Sequence, residues 1–96
     1  MEKGGWVYIM TNRRDGVLYI GVTSDLIGRS SQHRSGETRS FTQRYWLKQL
    51  VYYERHDEIV NAIAREKALK KWRRAWKVAL IETTNPEWHD LYDSIL

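Results

Sequence analysis

Two short runs rich in aromatic and β-branched residues, WVYIM (6–10) and VLYIGV (17–22), stand six residues apart, and the TNRRDG between them ends in Asp15-Gly16. Apolar runs of this kind, joined by a short polar segment closing on Asp-Gly, predict a β-hairpin. A third strand candidate, LKQLVYYE, covers 47–54. Between the hairpin and that strand, Thr23 and Ser24 can cap a helix that begins near Asp25 and stops near Ser35-Gly36. Asp57 is a plausible N-cap for a long helix, EIVNAIAREKALKKWRRAW, which bends or restarts after Trp76 through KVALIE. Asn85-Pro86 then breaks the chain, with Asn85 capping and Pro86 opening a short terminal helix, EWHDLYDSIL. The order β-β-α-β-α-α predicts an α+β fold: a three-stranded, mainly antiparallel sheet flanked by helices.

Ninety-six residues suffice for one modest core, so residues 1–96 are expected to form a single domain. The hydrophobic fraction of 42% and charged fraction of 29% are ordinary for a globular protein. No apolar run approaches the length of a membrane span and the N-terminus lacks signal-peptide architecture, so a cytoplasmic location is expected. Cysteine is absent, which excludes disulfides and thiolate metal sites. His33, His56 and His89 are far apart in sequence, which argues against structural zinc.

The net charge of +4 hides a strong asymmetry. Residues 29–77 carry thirteen basic against five acidic groups, whereas 82–96 carry four acids and no lysine or arginine. A basic middle with an acidic tail suits an anionic partner, nucleic acid being the commonest. A solvated cationic surface without a partner is the alternative on charge alone. The second oddity lies in the long helix. Ile59, Ala62, Ile63 and Leu69 share one face, and Glu66 sits in the middle of that stripe. A carboxylate so placed must pair with a cation, ligate a metal or titrate abnormally.

Chemistry enters with the motifs. WVYI, then YIG, SDLIGRSSQH, FTQRY, REKALKKW and NPEWHDLY follow one another along the chain. Each is weak alone; together, in this order and on these elements, they resemble the GIY-YIG nuclease superfamily. The likeness is to its small single-domain bacterial members, related in fold to the catalytic domain of a DNA-repair excinuclease, and covers about Trp6 to Tyr92. It implies a phosphodiester-hydrolysing endonuclease leaving 5′-phosphate and 3′-hydroxyl ends, with DNA ahead of RNA and a place in DNA repair or processing. It also implies catalytic roles for Tyr8, Tyr19, Arg29, His33 and Glu66, and structural roles at the site for Gly21 and Asn85. Glu66 would bind a single Mg2+ or Mn2+. Tyr8 would take the proton of the attacking water, with Tyr19 orienting it and Arg29 gripping a phosphate oxygen. Arg34, Arg44, Lys67, Lys70, Lys71, Arg73 and Arg74 are the expected contacts to the nucleic-acid backbone.

Each residue also has a plainer reading. The tyrosines can be cross-strand packing, Arg29 a solvated helix residue, His33 a surface histidine, Glu66 half of an ion pair and Gly21 packing relief. Trp72, Trp76, Trp88 and Tyr92 are expected to fasten the terminal helices to the core, with base stacking by an exposed tryptophan as the alternative. The Arg29 helix departs from the family pattern at Gly28, Ser30 and Ser31, mediocre helix formers that together cost about 1–2 kcal/mol relative to alanines. Two rival functions therefore stay open. One is a nucleic-acid-binding module of the same fold with little catalysis. The other is a protein-interaction module using the acidic tail. A short chain also leaves room for a protein partner that supplies specificity.

Overall fold

The computed structural model describes residues 4–35 and 46–96. Three strands, β1 (Gly5–Thr11), β2 (Leu18–Thr23) and β3 (Gln49–His56), form one antiparallel sheet in the order β2-β1-β3. Helices α1 (Leu26–Ser35), α2 (Ile59–Lys71) and α3 (Arg74–Thr84) flank it, and a 3-10 turn spans Tyr92–Ile95. The expected α+β architecture is therefore present.

The predicted hairpin forms, and its turn is built from side chains. Asn12 Oδ1 accepts the Val17 N–H at 3.1 Å, Thr11 Oγ1 donates to the Arg13 carbonyl at 2.8 Å, and Asp15 adopts φ 59°. Asparagine and aspartate suit these positions because short polar side chains satisfy turn backbone and tolerate left-handed dihedrals. In the central strand, alternate residues face opposite ways. Val7 and Ile9 pack with Ile20, Val51, Ala62, Leu69 and Ile81 under α2 and α3. Tyr8 and Met10 pack with Leu26, Leu47 and Leu50 on the other side, under α1. A bulge opposite Ile9 and Met10 shifts the β1–β3 register at Val51. It lets both Val51 and Tyr52 join the α2–α3 core while Leu50 joins the α1 core.

Three boundaries differ from expectation. Helix α2 has Glu58, not Asp57, at its N-cap, while Asp57 pairs with Arg55 at 2.9 Å. The long helix breaks at Trp72 and Arg73, both extended with ψ near 150°, rather than after Trp76. No glycine or proline marks that break. Tertiary contacts explain it: Trp72 turns onto the core and under the Arg65 guanidinium, 5.1 Å from its ring, and Arg74 donates to the Asp15 and Gly16 carbonyls at 2.8 and 2.6 Å. A continuous helix would forgo both.

The third difference is the C-terminal segment, which forms only the 3-10 turn in place of a terminal helix. Asn85 instead closes α3, its N–H bonding the Ile81 carbonyl at 2.9 Å. The segment then runs beside the outer edge of β3. Asn85 Nδ2 donates to the Val51 carbonyl at 3.0 Å, Leu91 N–H to the Leu50 carbonyl at 2.7 Å, and Leu50 N–H to Asp90 Oδ1 at 3.1 Å. A sheet edge exposes backbone groups that need partners, and this segment supplies them. Trp88, buried with φ 57°, anchors the crossing by donating Nε1–H to Glu82 at 2.7 Å.

A polar cluster fixes α2 to β3. Glu54 accepts from the Tyr52 hydroxyl at 2.6 Å and from Arg65 Nε at 3.1 Å, and lies 2.5 Å from His56 Nε2. Burial alone would raise the Glu54 pKa, but these hydrogen bonds outweigh it and hold the carboxyl below its usual value.

Candidate active site

The register places Tyr8 on β1 directly opposite Gly21 on β2, and Tyr19 opposite Met10. Tyr8 and Tyr19 thus share the α1 face of the sheet. Gly21 has a steric reason to be glycine. A Cβ built on it would lie 2.4 Å from the Tyr8 hydroxyl oxygen and 2.5 Å from Cζ, so the phenol ring occupies the space any side chain would take.

Helix α1 brings His33 to the same spot. Asp25 is its N-cap: its carboxylate accepts the Gly28 N–H at 3.0 Å and its carbonyl accepts the Arg29 N–H at 3.0 Å. Thr23 sits one layer further out, accepting the Asp25 N–H at 3.0 Å. A Cβ on Gly28 would stand 2.2 Å from the capping carboxylate, a contact that a small shift of the Asp25 side chain would relieve. Ser30 is buried against the sheet, and among the described residues its Oγ has no hydrogen-bond partner. Ser30→Ala is therefore expected to raise stability by about 0.5–2 kcal/mol, combining a better helix propensity with the loss of an orphaned hydroxyl. Urea denaturation reads this directly; a lower midpoint would mean the hydroxyl is satisfied in solution.

The three rings form a compact triad. Centroids lie 6.2 Å apart for Tyr8–Tyr19 and 5.8 Å for both Tyr8–His33 and Tyr19–His33. The Tyr8 hydroxyl is 3.2 Å from His33 Nε2 and hydrogen-bonds Tyr19 as well. With Nδ1 protonated, Nε2 accepts from Tyr8; in the other tautomer Tyr8 accepts from Nε2 and gives its own proton to Tyr19. Both His33 and Tyr8 are buried. Burial, followed by the Arg29 charge, lowers the His33 pKa below the usual value. Burial raises the Tyr8 pKa well above its ordinary value, with Tyr19 and Glu66 adding to the rise and Arg29 opposing it. Arg29, exposed on α1, and Glu66 on α2 are thus both within electrostatic reach of one hydroxyl.

Glu66 occupies the inward stripe of α2 with Ile59, Ala62 and Leu69, while Ile63, expected in that stripe, is exposed. Its side chain is only 14% exposed, and Lys70 Nζ pairs with it at 3.2 Å from one turn along the helix. One shielded carboxylate whose charge reaches the Tyr8 hydroxyl fits Mg2+ or Mn2+, which take few carboxylates and complete their shell with water and phosphate oxygens.

The remaining sequence-selected residues are distributed as follows. Asn85 lies at the outer edge of β3, away from the tyrosines, where it holds the C-terminal segment. Arg34 pairs with Asp90 and lies over the Tyr92 ring, 4.5 Å from its centroid, bridging α1 to the C-terminus. Arg74 holds the hairpin turn. Lys67, Lys71 and Arg73 are exposed, and Arg44 falls outside the described residues. Trp88 is buried and Trp72 packs against the core, but Trp76, expected to do likewise, is 53% exposed, with Arg73 5.5 Å from its ring. Three of the four tail acids are engaged within the chain: Glu82 with Trp88, Glu87 with Arg14 and Asp90 with Arg34. Lys77 did not stand out in the sequence. The break at Trp72 and Arg73 folds α3 back, so that Lys77 Nζ lies 3.4 Å from the Lys70 carbonyl.

Comparison with known proteins decides the family. The profile of the GIY-YIG catalytic domain matches residues 4–79, most of the chain. The chain belongs to the GIY-YIG family. A UPF0213 protein of Streptococcus sanguinis is 32% identical over 82 residues, covering 85% of this chain and 93% of that protein. A UPF0213 protein of Haloquadratum walsbyi is 35% identical over 82 residues, covering 85% and 91%. The solution structure of a UPF0213 protein from Bacillus halodurans superposes with a TM-score of 0.57 at 25% identity, over 91% of this chain and 92% of that one. Within this GIY-YIG chain, the tyrosine–histidine triad comes from β1, β2 and α1, and Arg29 on α1 and Glu66 on α2 act on the Tyr8 hydroxyl through their charges. Among the described residues no helix is long and apolar enough to cross a membrane.

Proposed function

We propose that this GIY-YIG protein is an endonuclease that hydrolyses nucleic-acid phosphodiesters with the help of a divalent cation, acting as one domain, with DNA ahead of RNA as substrate. Nucleic-acid repair or processing in the cytoplasm is the setting we infer, with a protein partner as one source of specificity. The observation that carries the reading is the surroundings of one hydroxyl: Tyr8 bonds His33 and Tyr19 and feels Arg29 and Glu66 with opposite sign. Packing alone would call for neither an arginine nor a shielded carboxylate beside it.

The proton has a defined route. A phenol held protonated by burial is a poor base by itself. In the Nδ1–H tautomer, however, Tyr8 already donates to His33 Nε2 across 3.2 Å. As the attacking water loses its proton to the Tyr8 oxygen, the phenol proton passes to the imidazole, and Tyr8 remains neutral throughout. The lowered His33 pKa keeps that acceptor unprotonated at neutral pH. Tyr19 orients the water through its contact with Tyr8, and Arg29 donates to a non-bridging phosphate oxygen, offsetting charge that grows as the bond to the 3′ oxygen breaks. Glu66 is the residue to hold Mg2+ or Mn2+, which when bound supplies further charge stabilisation at the phosphate and the departing oxygen.

A pH profile tests the relay. Because the His33 pKa is lowered, kcat/KM is expected to fall only below the ordinary histidine value of about 6.5. His33→Gln should remove that acid limb. An unchanged limb in the variant would assign it to another group. Stability follows the same sign: the contribution of neutral His33 is complete above its unfolded pKa and is lost as pH falls below it.

The deciding experiment is cleavage of duplex, single-stranded and branched DNA, and of RNA, each with Mg2+, Mn2+ or EDTA. Cutting that requires the cation and that Tyr8→Phe abolishes without unfolding would establish the activity. No cutting on any substrate, with salt-sensitive binding retained, would replace it by a nucleic-acid-binding module.

A further inference from the structure

We propose that the groove between β2 and the α2–α3 junction is a phosphate subsite, in which Lys70 and Lys77 hold the backbone phosphate next to the scissile one. The inference rests on the nuclease reading of the Tyr8 site and extends it to the path of the bound strand. The groove measures about 240 Å³ and is lined by Leu18, Tyr19 and Ile20 on one side and by Lys70 and Lys77 on the other. Tyr19 lines this groove on the β2 edge strand while its ring lies on the α1 face with Tyr8 and His33, so one residue of that edge links the groove to the scissile-phosphate site.

Its charge is one-sided. Two ammonium groups line it, no acidic side chain does, and the break between α2 and α3 is what brings them together. On an unbroken helix, Lys70 and Lys77 would be two turns apart. Glu66 offsets the Lys70 charge at 3.2 Å, so Lys77, held 3.4 Å from the Lys70 carbonyl, supplies the net positive charge that an anion in the groove would meet. Lysines are flexible point charges, suited to positioning a backbone phosphate and not to reading bases. Leu18 and Ile20 give the rest of the groove an apolar wall, against which a sugar can lie. Lys70 is shared with Glu66 at 3.2 Å, so a cation on Glu66 would release Lys70 toward the groove, coupling the two sites.

The test is binding of a short single-stranded DNA, followed by fluorescence anisotropy in EDTA over a range of salt, with steady-state cleavage alongside. Lys77→Gln is expected to make the dependence of log Kd on log salt shallower by about 0.7, one single-strand phosphate contact. It should raise KM several-fold and leave kcat near that of the unmodified protein. Lys77→Arg should restore the slope. Lys48→Gln, which removes the same charge beside Trp46 and away from the groove, should change neither quantity. Circular dichroism and melting temperature confirm that each variant folds. An unchanged slope and KM in Lys77→Gln, or equal losses in Lys48→Gln, would overturn the subsite while cleavage by the unmodified protein upholds the nuclease reading. If the unmodified protein neither binds nor cuts nucleic acid, the nuclease reading fails first and the subsite fails with it.

Discussion

Glu66→Gln is expected to remove metal-dependent cleavage by about a thousandfold or more while leaving the protein folded. The substitution keeps shape and volume and removes only the charge, at a position whose side chain is 14% exposed. The ion pair lost with Lys70 is an i,i+4 helix pair whose lysine is largely solvated, worth about 0.3–0.5 kcal/mol. A second readout separates the metal from the chemistry: paramagnetic Mn2+ should broaden the Tyr8 and Tyr19 resonances of the unmodified protein and leave those of the variant sharp. Cleavage within about tenfold of the unmodified protein, a barrier change of only about 1.4 kcal/mol, would sink the assignment. The same position also makes a statement about stability. Its neighbours in the stripe are Ile59, Ala62 and Leu69, so Glu66→Leu should stabilise the fold by about 1 kcal/mol while abolishing activity.

Gly21→Ala should be nearly as damaging, through geometry alone. The added methyl would stand 2.4 Å from the Tyr8 hydroxyl oxygen and 2.5 Å from Cζ, so the ring must leave its place between His33 and the sheet. Displacement by about 1 Å is enough for a hundredfold loss of rate, and the overpacking costs about 1–3 kcal/mol of stability. A double-mutant cycle isolates the cause. If Gly21 acts through the Tyr8 hydroxyl, adding Gly21→Ala to Tyr8→Phe should lower cleavage little beyond Tyr8→Phe alone. Full additivity would show that Gly21 supports activity by another route.

The proposed site draws on residues from both cores. Tyr8 belongs to the α1 side of the sheet, whereas Glu66 rides on the helix that covers the opposite side. The α1 anchor is itself local: Asp25 caps the helix through Gly28, and His33 and Arg29 follow from that start. The serine-rich sequence of α1 therefore weakens the helix at Ser30 without loosening its N-terminal end, the end nearer Arg29.

The hairpin, the third strand, the Glu66 stripe and the family motifs were legible in the chain, because each depends on residues close together along it. Period-two alternation, Asn12 and Asp15 in the turn, and the i, i+3, i+7 spacing of Ile59, Ala62 and Glu66 are local codes that backbone geometry alone can read. Contacts between distant segments settled the rest. The break at Trp72 and Arg73 carries no glycine or proline and exists because Trp72 and Arg74 find partners on the core and on the hairpin turn. The C-terminal segment reads as a helix in isolation, yet unfinished backbone bonds on the β3 edge draw Asn85, Asp90 and Leu91 alongside it. Arg34, Arg74 and Lys70 look alike in sequence, where Lys77 does not stand out at all. Only the folded chain ties the exposed Arg34 to Asp90 and Arg74 to the hairpin turn, and sets Lys70 and Lys77 along one groove. A side chain's partner is chosen by what lies across space from it, and sequence spacing specifies that only within a few turns of the same element.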